Sequence, residues 1–179
     1  MIESLTAWGL ATMLIAWSLT SSIVGITPKP VAAAIATASI EKPLYQGENG
    51  ARETAALMIA TARFESGFDA KAKGDCKDKP PGWPGCGKAG NDSVPTSFCF
   101  GQLHFAEGVK TVEGYTPEEL LSDPLKCARA MREVLRASIK ASPTSEPLLQ
   151  YAGRSKEART RFELAQKLFK MVPWNIRCD

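Results

Sequence analysis

The stretch Arg52 to Phe68, RETAALMIATARFESGF, decides how the chain is read. Ala56, Ile59, Ala60 and Phe64 recur at helical spacing among strong helix formers such as Ala55, Leu57 and Ala62. Gly67 is placed to stop the helix as a residue of left-handed backbone. Arg63 is the only charged residue between Glu53 and Glu65, so Glu65 closes a mostly apolar helix, flanked by Phe64 and Phe68. Apolar surroundings disfavour a carboxylate, and so does the negative end of the helix dipole. Both favour a retained proton, and a carboxylic acid that stays neutral is what cleavage of a glycosidic bond requires. The plainer reading is a solvated glutamate in a last helical turn.

Outward from this helix, the 179 residues suffice for one domain with a sizeable core and a terminal appendage. From Ser4 to Pro28 there is no charged residue. Residues 1–28 therefore form a hydrophobic N-terminal segment, and residues 5–26 are long enough to span a bilayer as a helix. Trp8 would then be an interfacial anchor. No Lys or Arg supplies the positive start of a secretory signal, although Ala-rich stretches after Pro30 offer small residues for a cleavage site. A membrane anchor or export segment, a cleaved signal, and a helix packed on the domain or a partner all stay open. Residues 29–179 form the domain proper.

Pro28 and Pro30 end the first segment and open a short Ala-rich helix from Val31 to Ile40. Asp69 to Ser97 holds five glycines, four prolines and two of the five cysteines, a long loop of the kind that needs a staple or a site. Trp83 in this loop serves either sugar stacking or simple packing. Cys76, Cys86, Cys99, Cys127 and Cys178 suggest one or two disulfides with at least one thiol left over, their pairing unspecified. A zinc site using Cys99 and His104 competes poorly, because the close cysteine pair of structural zinc sites is missing.

Thr116-Pro-Glu-Glu starts a helix with a cap, a proline and an acidic first turn. Asp123-Pro starts a longer one to about Lys140. Leu125, Ala128, Met131, Val134, Leu135 and Ile139 form its buried stripe, and Lys126, Arg129, Arg132, Arg136 and Lys140 a basic row, read as solvated. A short segment ends at Gly153, and a last amphipathic helix runs from Glu157 to Met171, with Ala158, Phe162, Ala165, Leu168 and Phe169 inward. No strand-like alternation and no repeat stands out. The expected class is all-α, with a long Cys-containing loop and an N-terminal hydrophobic helix.

Three short pieces follow in order: Glu65-Ser66-Gly67-Phe68, Phe100-Gly101-Gln102-Leu103, and Tyr151-Ala152-Gly153. The order resembles the lysozyme-like soluble lytic transglycosylase family, which cleaves bacterial peptidoglycan. The resemblance covers roughly residues 31–171. It departs from the family pattern at Cys99, where a Gly is usual, at Gly101, where a Met is usual, and in the third piece, which lacks an Asn. The resemblance implies that Glu65 is the catalytic acid and then base, that Ser66 orients it, that Gln102 holds substrate by its amide, and that Tyr151 bonds near the carboxylate or the sugar. A hydrolytic lysozyme on the same fold would need a second carboxylate, with Asp75, Asp69 and Glu107 as candidates. A catalytically weak, wall-binding part of a virion or secretion machine is the non-enzymatic alternative.

No cofactor and no metal are called for. The expected partner is the glycan strand, with a membrane through residues 5–26 and a larger envelope or virion assembly as further partners. The cell envelope, periplasmic or membrane-anchored, or a virion is the expected location. Residues 51–179 carry 20 basic against 16 acidic side chains, an excess that suits an anionic wall polymer and is too weak for nucleic acid.

Overall fold

A computed structural model describes residues 5, 7–9, 11–12, 29–74, 77–78, 93–94, 96–105 and 110–171. The chain is mostly helical. Its centre is α2 (Gly50–Ser66), which follows α1 (Lys29–Glu41). Every residue of α2 from Thr54 to Ala62 is buried. Nine consecutive buried positions leave no solvated face, so this helix is sheathed all round, whereas its sequence suggests a single apolar stripe. Each fully buried Leu57, Met58 and Ile59 contributes roughly 1.5–3 kcal/mol of transfer free energy. The buried hydroxyls inside the sheath are satisfied: Thr61 donates to the Leu57 carbonyl at 2.9 Å, and Thr54 to the Gly50 carbonyl at 2.7 Å.

The helix stops where expected. Gly67 has φ 62°, and its N–H returns to the Arg63 carbonyl. Phe64, expected inward, is 43% exposed. The last turn of α2 has run out beyond its sheath, and the ring lies under the Arg161 guanidinium, 5.4 Å from it.

Further along come α3 (Pro117–Ser122), α4 (Pro124–Ala141), the one-turn α5 (Leu149–Ala152) and α6 (Ser155–Met171). Their starts are set by the expected chemistry. Thr116 and Glu119 close a reciprocal capping box, and the Asp123 carboxylate accepts from the Leu125 and Lys126 amides. Helix α6 packs along α2, and α4 packs along α1, which in turn lies on α2.

The basic row of α4 is solvated at Lys140, as its sequence suggests, but not at its three arginines. Arg132 is buried and donates to the Ala38 carbonyl at 2.8 Å. Arg136 reaches the Lys42 carbonyl at 2.8 Å, and Arg129 pairs with Glu41. The cause is the C-terminal end of α1, whose last carbonyls have no partner within the helix and whose negative dipole end faces α4. Guanidinium forks meet both needs. Glu133 accepts from Arg132 at 2.9 Å and Arg136 at 3.1 Å, which completes the network. On the apolar stripe of α4, Ala128, Met131 and Leu135 are buried, but Val134 is exposed.

Five two-residue strands, absent from the sequence reading, lie between α2 and α3: β1 (Lys73–Gly74), β2 (Lys77–Asp78), β3 (Ser93–Val94), β4 (Ser97–Phe98) and β5 (Leu103–His104). β1, β4 and β5 form an antiparallel sheet in that order, and β2 pairs with β3. Asp75, Cys76, Trp83, Cys86, Glu107 and Cys178 lie outside the described residues.

At the N-terminus the described residues are helical. Leu5, Trp8 and Thr12 are fully buried in the common core. Trp8, an interfacial anchor in the membrane-spanning reading, lies 5.4 Å from the Arg52 guanidinium. These residues pack on the domain. Among the described residues no helix is long and apolar enough to cross a membrane.

Cys99 and Cys127 form a disulfide, with both residues buried. Cys99 is therefore no thiolate for zinc, and the zinc alternative with His104 falls. The bond joins the turn after β4 to α4 across a sequence separation of 28. Closing a loop of that size in the unfolded chain stabilises the native state by about 3–4 kcal/mol. The double substitution Cys99→Ala, Cys127→Ala should lower the unfolding free energy by that amount in a denaturant titration.

Candidate functional site

The site is assembled around the turn Phe98–Gln102, between β4 and β5. Three elements converge on it, two through its main-chain oxygens and one through a disulfide. From the end of α2, Ser66 donates its hydroxyl to the Phe100 carbonyl at 3.0 Å. From α5, Tyr151 donates its hydroxyl to the Gly101 carbonyl. From α4, the Cys127 sulfur holds Cys99. Glu65 precedes Ser66 on α2, so the bond that ties Ser66 to the turn also fixes where the carboxylate stands.

Glu65 is largely enclosed, with its side chain 18% exposed. Its surroundings are not the purely apolar ones expected from Phe64 and Phe68. Arg161 of α6 donates to Glu65 Oε1 from Nη2 at 2.8 Å and from Nε at 3.2 Å. The same guanidinium stacks on Phe64, and Glu157 stands 4.0 Å from its Nη1. Charge-assisted bonds to a guanidinium favour the ionised carboxylate, against the effect of enclosure.

Tyr151 completes the cluster. Burial pushes its phenol well above the usual tyrosine range, and the negative charge of Glu65 pushes it further, while Arg161 opposes both. The hydroxyl therefore keeps its proton through neutral and alkaline conditions, as its donation to the Gly101 carbonyl requires. A hollow of about 280 Å³ opens beside Tyr151, lined also by Val134, Ala137 and Gln150.

Gln102 belongs to the same turn, but its amide is turned onto the turn itself. Nε2 donates to the Cys99 carbonyl at 3.2 Å, and Oε1 occupies the space where a Cβ on Gly74 would stand. Glu65, Ser66 and Tyr151 thus share one cluster. Gln102 stands beside them as part of the frame. Asp69, at the N-terminal end of its own turn, accepts from the Lys71 amide.

Two of the three departures from the pattern of the resembled family, those at Cys99 and Gly101, have local causes. Cys99 has φ 61°, a conformation that favours Gly, and there the disulfide holds a side chain that Gly could not provide. At Gly101, the space that a side chain would need is filled by Met131 of α4, whose Cγ and Sδ lie 3.2 Å from an ideal Cβ position. Phe68 and Gln102 also have positive φ, at 72° and 46°. The three non-glycine residues of this kind among those described lie in the two segments that frame Glu65. Such conformations cost on the order of 1–3 kcal/mol each and cluster at functional sites.

Arg161 is the residue of this cluster that the sequence reading passed over. A signal exists: it falls three residues after Ala158 and four before Ala165, on the buried line of α6. A second cavity, of about 340 Å³, lies between α2 and α6 among Tyr45, Glu53, Leu57, Phe162 and Phe169. It is at the opposite end of α2 from Glu65. Burial and Glu53 push the Tyr45 phenol up to about 12 there.

No family model matches the chain, and no curated protein or solved structure does either.

The exchange of Met for Gly at 101 is testable by compensation. Gly101→Met should destabilise by about 1–3 kcal/mol through overpacking against Met131. Combining it with Met131→Ala should recover roughly 1 kcal/mol or more relative to the sum of the single effects, read by chemical denaturation.

Proposed function

We propose that this chain is a peptidoglycan lytic transglycosylase on a lysozyme-like helical domain. The observation that carries the reading is the convergence of Glu65-Ser66 and Tyr151 on the carbonyls of the Phe100-Gly101 turn. Three motifs far apart in sequence thereby join at one turn beside an enclosed carboxylate, in the order that the family resemblance leads one to expect.

The chemistry follows from a single acid. Protonated Glu65 gives its proton to the oxygen joining N-acetylmuramic acid to N-acetylglucosamine as the C1–O bond breaks, and the N-acetylglucosamine leaves with its 4-hydroxyl restored. The Glu65 carboxylate then takes the proton from the muramoyl C6 hydroxyl, whose oxygen closes on C1 to give the 1,6-anhydro ring. One residue serves as acid and then as base, and is returned protonated. Ser66 keeps the end of α2 in register with the turn. Tyr151 holds the same turn from the other side. Gln102 presents the turn to the glycan rather than offering a free amide. Placement at the cell envelope or on a virion follows from this substrate.

A second reading has a specific observation in its favour. The Glu65–Arg161 pair suits a carboxylate that stays ionised, which fits a wall-binding component without turnover.

Replacing Glu65 with Gln should abolish release of soluble fragments from purified sacculi while the circular dichroism spectrum stays that of the wild type. Mass spectrometry of the wild-type products should find anhydro-muropeptides. Reducing ends would mean a hydrolytic lysozyme, and intact sacculi with tight binding would mean the wall-binding component.

A further inference from the structure

We propose that Arg161 is a positioning residue that orients the Glu65 carboxylate and thereby makes it a stronger proton donor. The inference rests on the transglycosylase reading and deepens it.

The geometry is specific. Arg161 is 10% exposed in its side chain and is fixed twice, by two bonds to one oxygen of Glu65 and by stacking on Phe64. A guanidinium held this way cannot turn to solvent without losing both contacts. The charged and titratable groups near the pair can be named among the described residues. Glu65 acts on the Tyr151 phenol of α5, and Glu157 of α6 stands outside Arg161, itself 3.7 Å from Arg154. Arg63 and Asp69 flank Glu65 on its own segment. Among these, Arg161 is the cation with two described bonds to the carboxylate.

Two effects follow, and they oppose one another. A neighbouring cation reduces the fraction of Glu65 that carries a proton at a given pH. It also stabilises the carboxylate that remains once the proton has moved to the glycosidic oxygen. The native protein should therefore work best on the acid side, with a high plateau and an early fall as pH rises. Without the cation, Glu65 holds its proton to higher pH but gives it up less readily.

The test is the pH profile of fragment release from sacculi for wild type, R161Q and R161K. In R161Q the plateau should fall several-fold, and the high-pH limb should move upward by about one unit or more, the usual effect of an opposite charge at this distance. R161K keeps the charge, and its limb should stay near that of the wild type. A residue that merely packs would lower the plateau without moving the limb, and a limb in R161Q that superimposes on the wild type overturns the proposal.

A second readout needs no turnover. In 13C-labelled wild type, the Glu65 carboxyl signal, assigned by its loss in E65Q, should titrate below the ordinary glutamate range. Titration at or above that range overturns the proposal even if R161Q fails to fold. Wild type that leaves sacculi intact at every pH sinks the transglycosylase reading, and the carboxyl titration then judges Arg161 alone.

Discussion

The turn from Phe98 to Gln102 is the constraint on which the rest of the site depends. It is short, strained at Cys99 and Gln102, and has no regular structure beyond the two-residue strands at its ends. Left to itself such a segment would sample many conformations. Four contacts from three helices remove that freedom: a disulfide from α4, a methionine side chain from α4, a serine hydroxyl from α2 and a tyrosine hydroxyl from α5. The positions of Glu65 and Tyr151 relative to one another follow, because the two helices are measured against adjacent carbonyls of one turn.

The helices can act as fixed supports because their own ends are settled. α2 is sheathed in apolar side chains through its middle, so its axis has little room to shift. α4 is held at the far end of α1 by the Arg129, Arg132 and Arg136 network, which meets the Glu41 carboxylate and the Ala38 and Lys42 carbonyls at and just past the end of that helix with charged forks. A buried arginine is usually costly, and here each donor that faces inward has a carbonyl or carboxylate to meet. The same rule explains Arg161, whose burial is tolerable because Glu65 is there.

Much of this frame is legible in the sequence because helix ends carry local chemistry. Gly67, the Thr116–Glu119 pair, Asp123 with Pro124, and Gly153 mark their boundaries without help from tertiary structure. The strands are not legible, since two residues cannot display an alternation. Phe64 and Val134 sit at correct spacing for burial but lie where their helices leave the core. The arginines escape notice for the opposite reason. A charged residue on an amphipathic helix reads as solvated, and only the partner across the fold, a carbonyl row for Arg132 and a carboxylate for Arg161, reverses that. The pairing of Cys99 with Cys127 is likewise a fact of three dimensions.

Ser66 and Tyr151 grip the turn through its peptide oxygens, at Phe100 and Gly101. Peptide oxygens are the same whatever the residue. The two hydroxyls therefore do not themselves read the letters at those positions, and the demand for a small residue at 101 comes instead from Met131. A grip of this kind fixes the course of the chain and leaves the choice of side chain to whatever packs behind it.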